Sequence, residues 1–557
     1  MKKNRIILLG LLLVLSAAGF GQKLPTGPQV LTFFSSADDT EQPYGLYLPK
    51  NYDANKKYPL VVMLHGAGSN HRLALRRVFG KSNANGETDV EATRYFPEWK
   101  DVDYIVISPF ARGTMGYQTI AEKDVYDALA DAKKRFNIDE DRTYLTGLSM
   151  GGGGTLWIGL TRPDIWAAMA PVCPAPPTGT DAYAPNALNV PMHFFHGDKD
   201  QAVPVSVSRD WTKKLKESGT NVTYVEYPGV NHNSWENAYQ DEFIFTWFSQ
   251  FKRNPFPDRV RFSTPAYRYN SAYWVRLDQL TPGTTASIDA KFNGPNQLEI
   301  TASSLGAFTL QLKGHPKFKS GQPIELTING GKKMKLPAAE SLSLKTEAGK
   351  WVARKYEAAA NSKKPGAEGP ILAIFGDRHV YVYGTGGGAS QEEIDKRREL
   401  AEEAAGWSVY RGAFLGRIMF FPRVLSDNEV RPTDFESCNL ILFGTKETNS
   451  IIEKYADRLP IHLQPSATAD HGLFYIYPID GHYVAVSSGL PWWTGQSVQG
   501  FRFVPAPILK LGELKDYLLF KGSASAPIAE GYFDTEWNLP AAEKEKIKTS
   551  GAATIRY

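Results

Sequence analysis

Residues 143–154 read Thr-Tyr-Leu-Thr-Gly-Leu-Ser-Met-Gly-Gly-Gly-Gly (TYLTGLSMGGGG), a short apolar run that leads through Gly147-Leu-Ser149-Met-Gly151 into a stretch of helical character. A serine with glycines two positions away on both sides, set between a strand and a helix, fits a sharp turn that lifts its hydroxyl above the carboxyl edge of a sheet. The glycines have a steric reason. Such a turn strains the serine backbone, and side chains at 147 and 151 would collide with the neighbouring strand and helix. Gly-x-Ser-x-Gly also occurs in ordinary loops, so it is the flanking strand and helix that make Ser149 a candidate nucleophile.

A serine hydroxyl attacks only when a base takes its proton, and that base needs an orienting carboxylate. Phe195-His-Gly-Asp-Lys-Asp200 places two acids just past a buried apolar run, and Gly229-Val-Asn-His232 lies after the next one. The chain order Ser149, Asp200, His232 is the one expected when the three groups follow successive strands of one sheet. Asp198 competes with Asp200; Asp200 is preferred because it stands further past the strand end. His65 and His196 are expected to be structural, and the remaining histidines have no ligand spacing, so neither metal nor cofactor is expected. Charge developing on a carbonyl oxygen needs preorganised donors. His65-Gly-Ala-Gly68 follows a long buried run, and the backbone N–H groups of Ala67 and Met150 are assigned to this oxyanion hole.

The surrounding periodicity gives the fold. Tyr58–His65, Tyr104–Ser108, Thr143–Thr146, Ala167–Cys173, Met192–His196 and Val222–Tyr227 read as strands buried on both faces. Between them Val125, Leu129, Ala132 and Phe136 recur at helical spacing, as do Trp211 and Leu215. Strands alternating with helices predict a doubly wound, mostly parallel α/β sheet over residues 30–257. After Pro255-Phe-Pro257 the pattern becomes β-like, predicting a β-rich module over 258–356. Glu357–Gly369 reads as a linker, and 370–557 as a smaller C-terminal α/β module of unassigned role.

Together LTGLSMGGGGT, LHGAGSN, FHGDKDQAVPV and YPGVNHNSW resemble the α/β-hydrolase superfamily, most closely its secreted carbohydrate-esterase and feruloyl-esterase-like members and the catalytic domain of prolyl oligopeptidases. The resemblance covers residues 40–253 and implies Ser149 as nucleophile, Asp200 as acid and His232 as base. It does not fix the substrate.

The chain opens with Lys2, Lys3 and Arg5, an apolar run from Ile6 to Phe20 and small residues near Gly21. This is the pattern of a signal peptide over 1–21, and it predicts export to the periplasm or the medium. No later run is long and uncharged enough to predict a membrane span. Without the three basic residues of that leader, 60 Lys and Arg stand against 59 Asp and Glu, a balance that points away from nucleic acid and anionic membranes as partners. Cys173 and Cys438, far apart in sequence, are expected to be buried and unpaired. Oligomeric state is left open.

Three functional readings follow. The first is an exported serine esterase that removes acetyl or feruloyl groups from plant polysaccharide or cleaves related small esters, with Trp235 and Tyr183 as candidate substrate contacts. The second is a serine peptidase of the prolyl-oligopeptidase kind; against it, only about 20 residues of the mature chain precede the hydrolase pattern, where a propeller would stand. The third is a binding protein on a hydrolase scaffold. Residues 66–100 are long enough to shape a cleft entrance, and their Arg72, Arg76 and Arg77 are expected on a solvated helix face rather than against an acidic substrate group. Gly384-Thr-Gly-Gly-Gly388 lacks the phosphate-loop patterns and is expected to be a flexible turn, and Trp492 and Trp493 are expected to be ordinary packing.

Overall fold

The six apolar runs between Tyr58 and Tyr227 each become a strand of one eight-stranded sheet. The computed structural model describes residues 24–407, 417–495 and 506–556. The predicted leader, 1–21, lies outside the described residues. Strands β1 (Gly27–Ser35), β2 (Thr40–Leu48), β3 (Tyr58–Leu64), β4 (Ile105–Pro109), β5 (Ile138–Leu148), β6 (Ala168–Val172), β7 (Met192–Gly197) and β8 (Val222–Tyr227) stand in the order β1-β2-β4-β3-β5-β6-β7-β8. Strands β3 to β8 are parallel, while β1 and β2 form an antiparallel hairpin joined antiparallel to β4. That hairpin escapes the sequence reading because β1 is largely half-exposed and β2 is interrupted by Pro43 and Gly45.

Helices cover both faces, as continuous burial of the strands requires. Leu60, Val62 and Leu64 of β3 pack with residues of α3 (Ile120–Arg135), α4 (Met150–Thr161) and α5 (Ser206–Glu217). The intervening Val61 and Met63 pack with residues of α1 (His71–Val78) and α7 (Phe243–Phe248), and the short α2 (Asp89–Ala92) and α6 (Trp235–Ala238) lie in the connections after β3 and β8. One strand thus feeds two cores through its period of two.

The quoted stretch is the junction of β5 and α4. Ser149 sits at φ 56° and ψ −118°, a conformation that costs energy for a residue with a side chain. A Cβ on Gly151 would stand 2.2 Å from the Leu64 carbonyl oxygen, and one on Gly147 would stand 2.3 Å from that of Gly151. Backbone atoms cannot yield as side chains do. Gly151→Ala is therefore expected to cost about 3 kcal/mol or more. In thermal denaturation this reads as a Tm lower by about 6 °C or as loss of soluble protein; an unchanged Tm would mean that β3 and α4 can part freely.

Residues 259–353 form two five-stranded sheets whose inner faces share one core, including Phe262, Ile288, Phe308, Leu310 and Leu344. Residues 379–531 supply a seven-stranded mixed sheet. Its core also takes in Ala37 and Ile120 from the hydrolase-like region. Nearby, the buried Arg112 guanidinium pairs with Asp38 and Asp124 and donates to Ser35 Oγ at 2.8 Å, while its carbonyl accepts from Met419 N at 3.1 Å. Asn186 and Ser263 exchange hydrogen bonds that join the first sheet's helical layer to the β-rich segment.

Candidate active site

The β5–α4 turn, the loop after β7 and the loop after β8 meet at the carboxyl edge of the sheet. His232 Nε2 lies 2.9 Å from Ser149 Oγ, and His232 Nδ1 lies 2.7 Å from Asp200 Oδ2. An ionised carboxylate only accepts, so Nδ1 carries the imidazole proton and the Nε2 lone pair faces the serine hydroxyl. The Asp200 side chain has no solvent exposure. Burial alone would raise its pKa; the hydrogen bonds from His232 and from the amides of Val203 and Ala202, at 2.8 and 2.9 Å on Oδ1, hold it below the usual carboxylate range. Asp198 instead accepts from Gly229 N at 2.7 Å, bracing the neighbouring turn.

His196 has a place that the sequence reading missed. Its Nε2 stands 3.1 Å from Asp200 Oδ2 and 3.0 Å from the Val203 carbonyl, and its Nδ1 stands 2.7 Å from Ser208 Oγ. Burial lowers its pKa, so the ring is neutral. With two acceptors at Nε2, the proton belongs there, and Ser208 donates to Nδ1. Asp200 thus receives four donors in a fixed orientation. The i, i+4 spacing of His196 and Asp200 at a strand end was the available signal.

The loop after β3 leans on the serine: a Cβ on Gly66 would stand 3.4 Å from Ser149 Cβ. Gly68 N donates to Thr114 Oγ1 at 2.9 Å, and both His65 ring nitrogens stand 2.8 Å from carbonyl oxygens, of Gly66 and Phe110. Among the described residues, neither the Ala67 nor the Met150 amide donates to a protein acceptor. The Trp235 ring meets His232 edge-on at 5.4 Å. Tyr183 lies elsewhere: its buried ring packs against Trp157 and Tyr269, at 5.4 and 5.8 Å, rather than against any of the three residues above.

Cys173 is buried with its thiol toward the His232 carbonyl at 3.5 Å. Cys173, Asp200 and His232 bring potential ligand atoms within 4.8 Å of one another. Burial pushes the thiol up to about 12, however, and the Asp200 oxygens are already filled by four donors, so this donor set does not suit a metal ion. Iodoacetamide at pH 8 is accordingly expected to leave Cys173 unmodified in the native protein and to label it after denaturation, read by mass spectrometry. Native labelling would mean that the loop opens.

The other expectations divide. Arg76 is buried rather than solvated: its guanidinium donates to the Ala92 and Ser82 carbonyls and to Glu87, and Arg72 and Arg77 likewise brace residues 81–94. The segment 66–100 is held by these cations from within. The glycine run at 384–388, expected to be a flexible turn, is tied to two other segments, with Gly386 N on the Thr448 carbonyl at 2.9 Å and Thr385 donating to Asp427. Trp492 is fully buried and stacks on Phe474 at 4.2 Å.

The strand order and the strained serine after the fifth strand define an α/β-hydrolase, and the N-terminal sheet with its helices is one. Residues 52–247, a little over a third of the chain, match the phospholipase/carboxylesterase family. The chain is 25% identical over 352 residues to an uncharacterized secreted protein of Arthroderma benhamiae, covering 54% of this chain and 36% of that protein. It is 22% identical over 253 residues to dipeptidyl-peptidase 5 of Aspergillus fumigatus, covering 37% and 33%. The matched part thus spans about a third of the length of these curated relatives. A solved thermostable esterase aligns at 28% identity with a TM-score of 0.33, covering 41% of this chain and 63% of that one. Among the described residues, no helix is long and apolar enough to cross a membrane.

Proposed function

We propose that the protein is an exported serine hydrolase that cleaves carboxylic esters, with Ser149 as nucleophile, His232 as general base and Asp200 as the orienting acid. The observation that carries this reading is the unbroken line from Asp200 Oδ2 through His232 to Ser149 Oγ, at 2.7 and 2.9 Å, ending on a serine held in a strained turn. His232 Nε2 takes the hydroxyl proton as Oγ attacks the ester carbonyl, and the carbonyl oxygen, now negative, is received by the Ala67 and Met150 amides. Collapse expels the alcohol, which takes the proton from His232. Water then attacks the acyl-enzyme with His232 again as base. The family match over 52–247 supports ester chemistry, and the leader pattern at 1–21 supports export, with acetylated or feruloylated polysaccharide as the substrate class. Trp235, edge-on to His232, is placed to border the acyl or alcohol group.

The relation to a dipeptidyl-peptidase favours a second reading, cleavage of peptides by the same three residues. A hydrolysis panel of aryl acetate, methyl ferulate, acetylated xylan and a proline-containing peptide amide separates the two. Ester cleavage that disappears in Ser149→Ala supports the esterase, and peptide cleavage alone moves the assignment to a peptidase. Silence on all four, with no labelling by a fluorophosphonate, overturns both and leaves a binding protein.

A further inference from the structure

A cavity of about 700 Å³ lies where the hydrolase domain, the β-rich segment and the C-terminal segment meet, and none of Ser149, Asp200 and His232 lines it. That volume is in the range small ligands occupy. Trp157, in its wall, follows Ser149 by eight positions along α4, about 12 Å down the helix axis.

The charges around this cavity are left incomplete by the protein. Glu122, at the start of α3, is 1% exposed; its Oε2 accepts from Trp157 Nε1 at 3.1 Å and from the Tyr269 hydroxyl at 2.5 Å. Its Oε1 receives no donor among the described residues. Glu368 is also buried and accepts from Arg268 N at 2.9 Å. The Arg268 guanidinium, in the same lining, donates to no protein acceptor among the described residues, although it offers five N–H groups. Burial works against its charge, and the fields of Glu122 and Glu368 more than offset that. Glu122 and Glu368 are buried and Arg268 is partly exposed, and open donors and acceptors that face one cavity suit an occupant that completes both.

The mixture of signs restricts that occupant. A carboxylate drawn to Arg268 would meet the charge of Glu122, and an ammonium drawn to Glu122 would meet Arg268. A hydroxyl donates and accepts at one atom, and a vicinal pair of them matches the guanidinium fork on one side and a carboxylate on the other. The Trp157, Tyr269 and Trp407 rings supply apolar surface for the C–H faces such a molecule carries. We propose that this cavity is a binding site for a neutral saccharide unit, with Arg268 and Glu122 as its polar anchors. The site stands apart from the serine and does not depend on which bond the serine cleaves.

The test is isothermal titration of the full chain without its leader, carrying Ser149→Ala, with xylohexaose, cellohexaose, hexagalacturonate and a proline-containing tripeptide. Saturable binding of a neutral hexasaccharide is expected, weakened at least tenfold by Arg268→Gln. It is expected to weaken equally with Thr284→Trp, a change at an exposed rim position that fills the mouth and leaves the core alone. The proposal is overturned if neither neutral sugar binds, if binding is unchanged in both variants, or if the galacturonate or the peptide binds more tightly than either neutral sugar. Since binding is read without turnover, this failure is distinct from a failure of the hydrolysis panel.

Discussion

Ser149→Ala is expected to lower turnover of an aryl acetate by at least about four orders of magnitude, while the melting temperature stays within about 2 °C of the parent. The two halves of this expectation come from different atoms. Among the described residues the hydroxyl has one protein partner, His232 Nε2 at 2.9 Å, so its removal takes away the proposed nucleophile and one partly exposed hydrogen bond. The turn itself is held by the backbone, with Ser149 N on the Val172 carbonyl at 2.9 Å and the Ser149 carbonyl accepting from Gly153 and Ala175. Alanine keeps all three. Initial rates and a thermal melt on the same preparation decide it; activity within tenfold of the parent would remove Ser149 from the mechanism.

Asp200→Asn is expected to cost about 10⁴-fold in kcat, for a reason visible in the donors around the carboxylate. Two amides point at Oδ1, while His232 Nδ1 and His196 Nε2 point at Oδ2. An asparagine that keeps its carbonyl on the amides turns an NH₂ toward two N–H groups. His232 then moves its proton to Nε2, where it can no longer accept from Ser149. Asp198→Asn should change kcat less than tenfold, since Asp198 braces Gly229 and not the imidazole. The stability profile offers a second reading. Because the folded state depresses the Asp200 pKa, its carboxylate stabilises the protein above the unfolded-state pKa, and this is lost as pH falls through the folded value. The stability gap between parent and Asp200→Asn is therefore expected to be widest near neutrality and to narrow below about pH 4. A constant gap would contradict the assigned ionisation.

The parallel sheet was legible because its inner strands are buried on both faces and so appear as unbroken apolar runs; Val222–Tyr227, expected to be buried likewise, is the edge strand and has no fully buried residue. Tyr58–Leu64 has all seven residues buried. Ser149, Asp200 and His232 could be singled out because each lies just past such a run, where chain order and strand order bring loop tips together. What the sequence hid depends on distant partners. His196 looks like any polar strand end until the turn of 200–203 folds back on it. Tyr183 lies in a proline-rich loop suited to a cleft wall, yet Trp157 and Tyr269, the latter 86 positions away, take its ring. Arg76 and Arg77 read as a charged helix face because the carbonyls and acids that cover them arrive from a loop with no periodicity of its own. In the antiparallel hairpin at the sheet edge the outer strand is half-exposed and the inner one is interrupted by Pro43 and Gly45, so neither leaves a run to find.

Ala37 and Ile120 sit in the same apolar cluster as the C-terminal sheet, and Arg112 grips Asp38 and Asp124 on one side while its peptide group takes Met419 on the other. In thermodynamic terms the two ends of the chain share one unfolding event, so calorimetry should show a single transition for them rather than two. A fragment cut at Pro257 to make a minimal hydrolase would uncover that seam and turn a buried contact into an adhesive one.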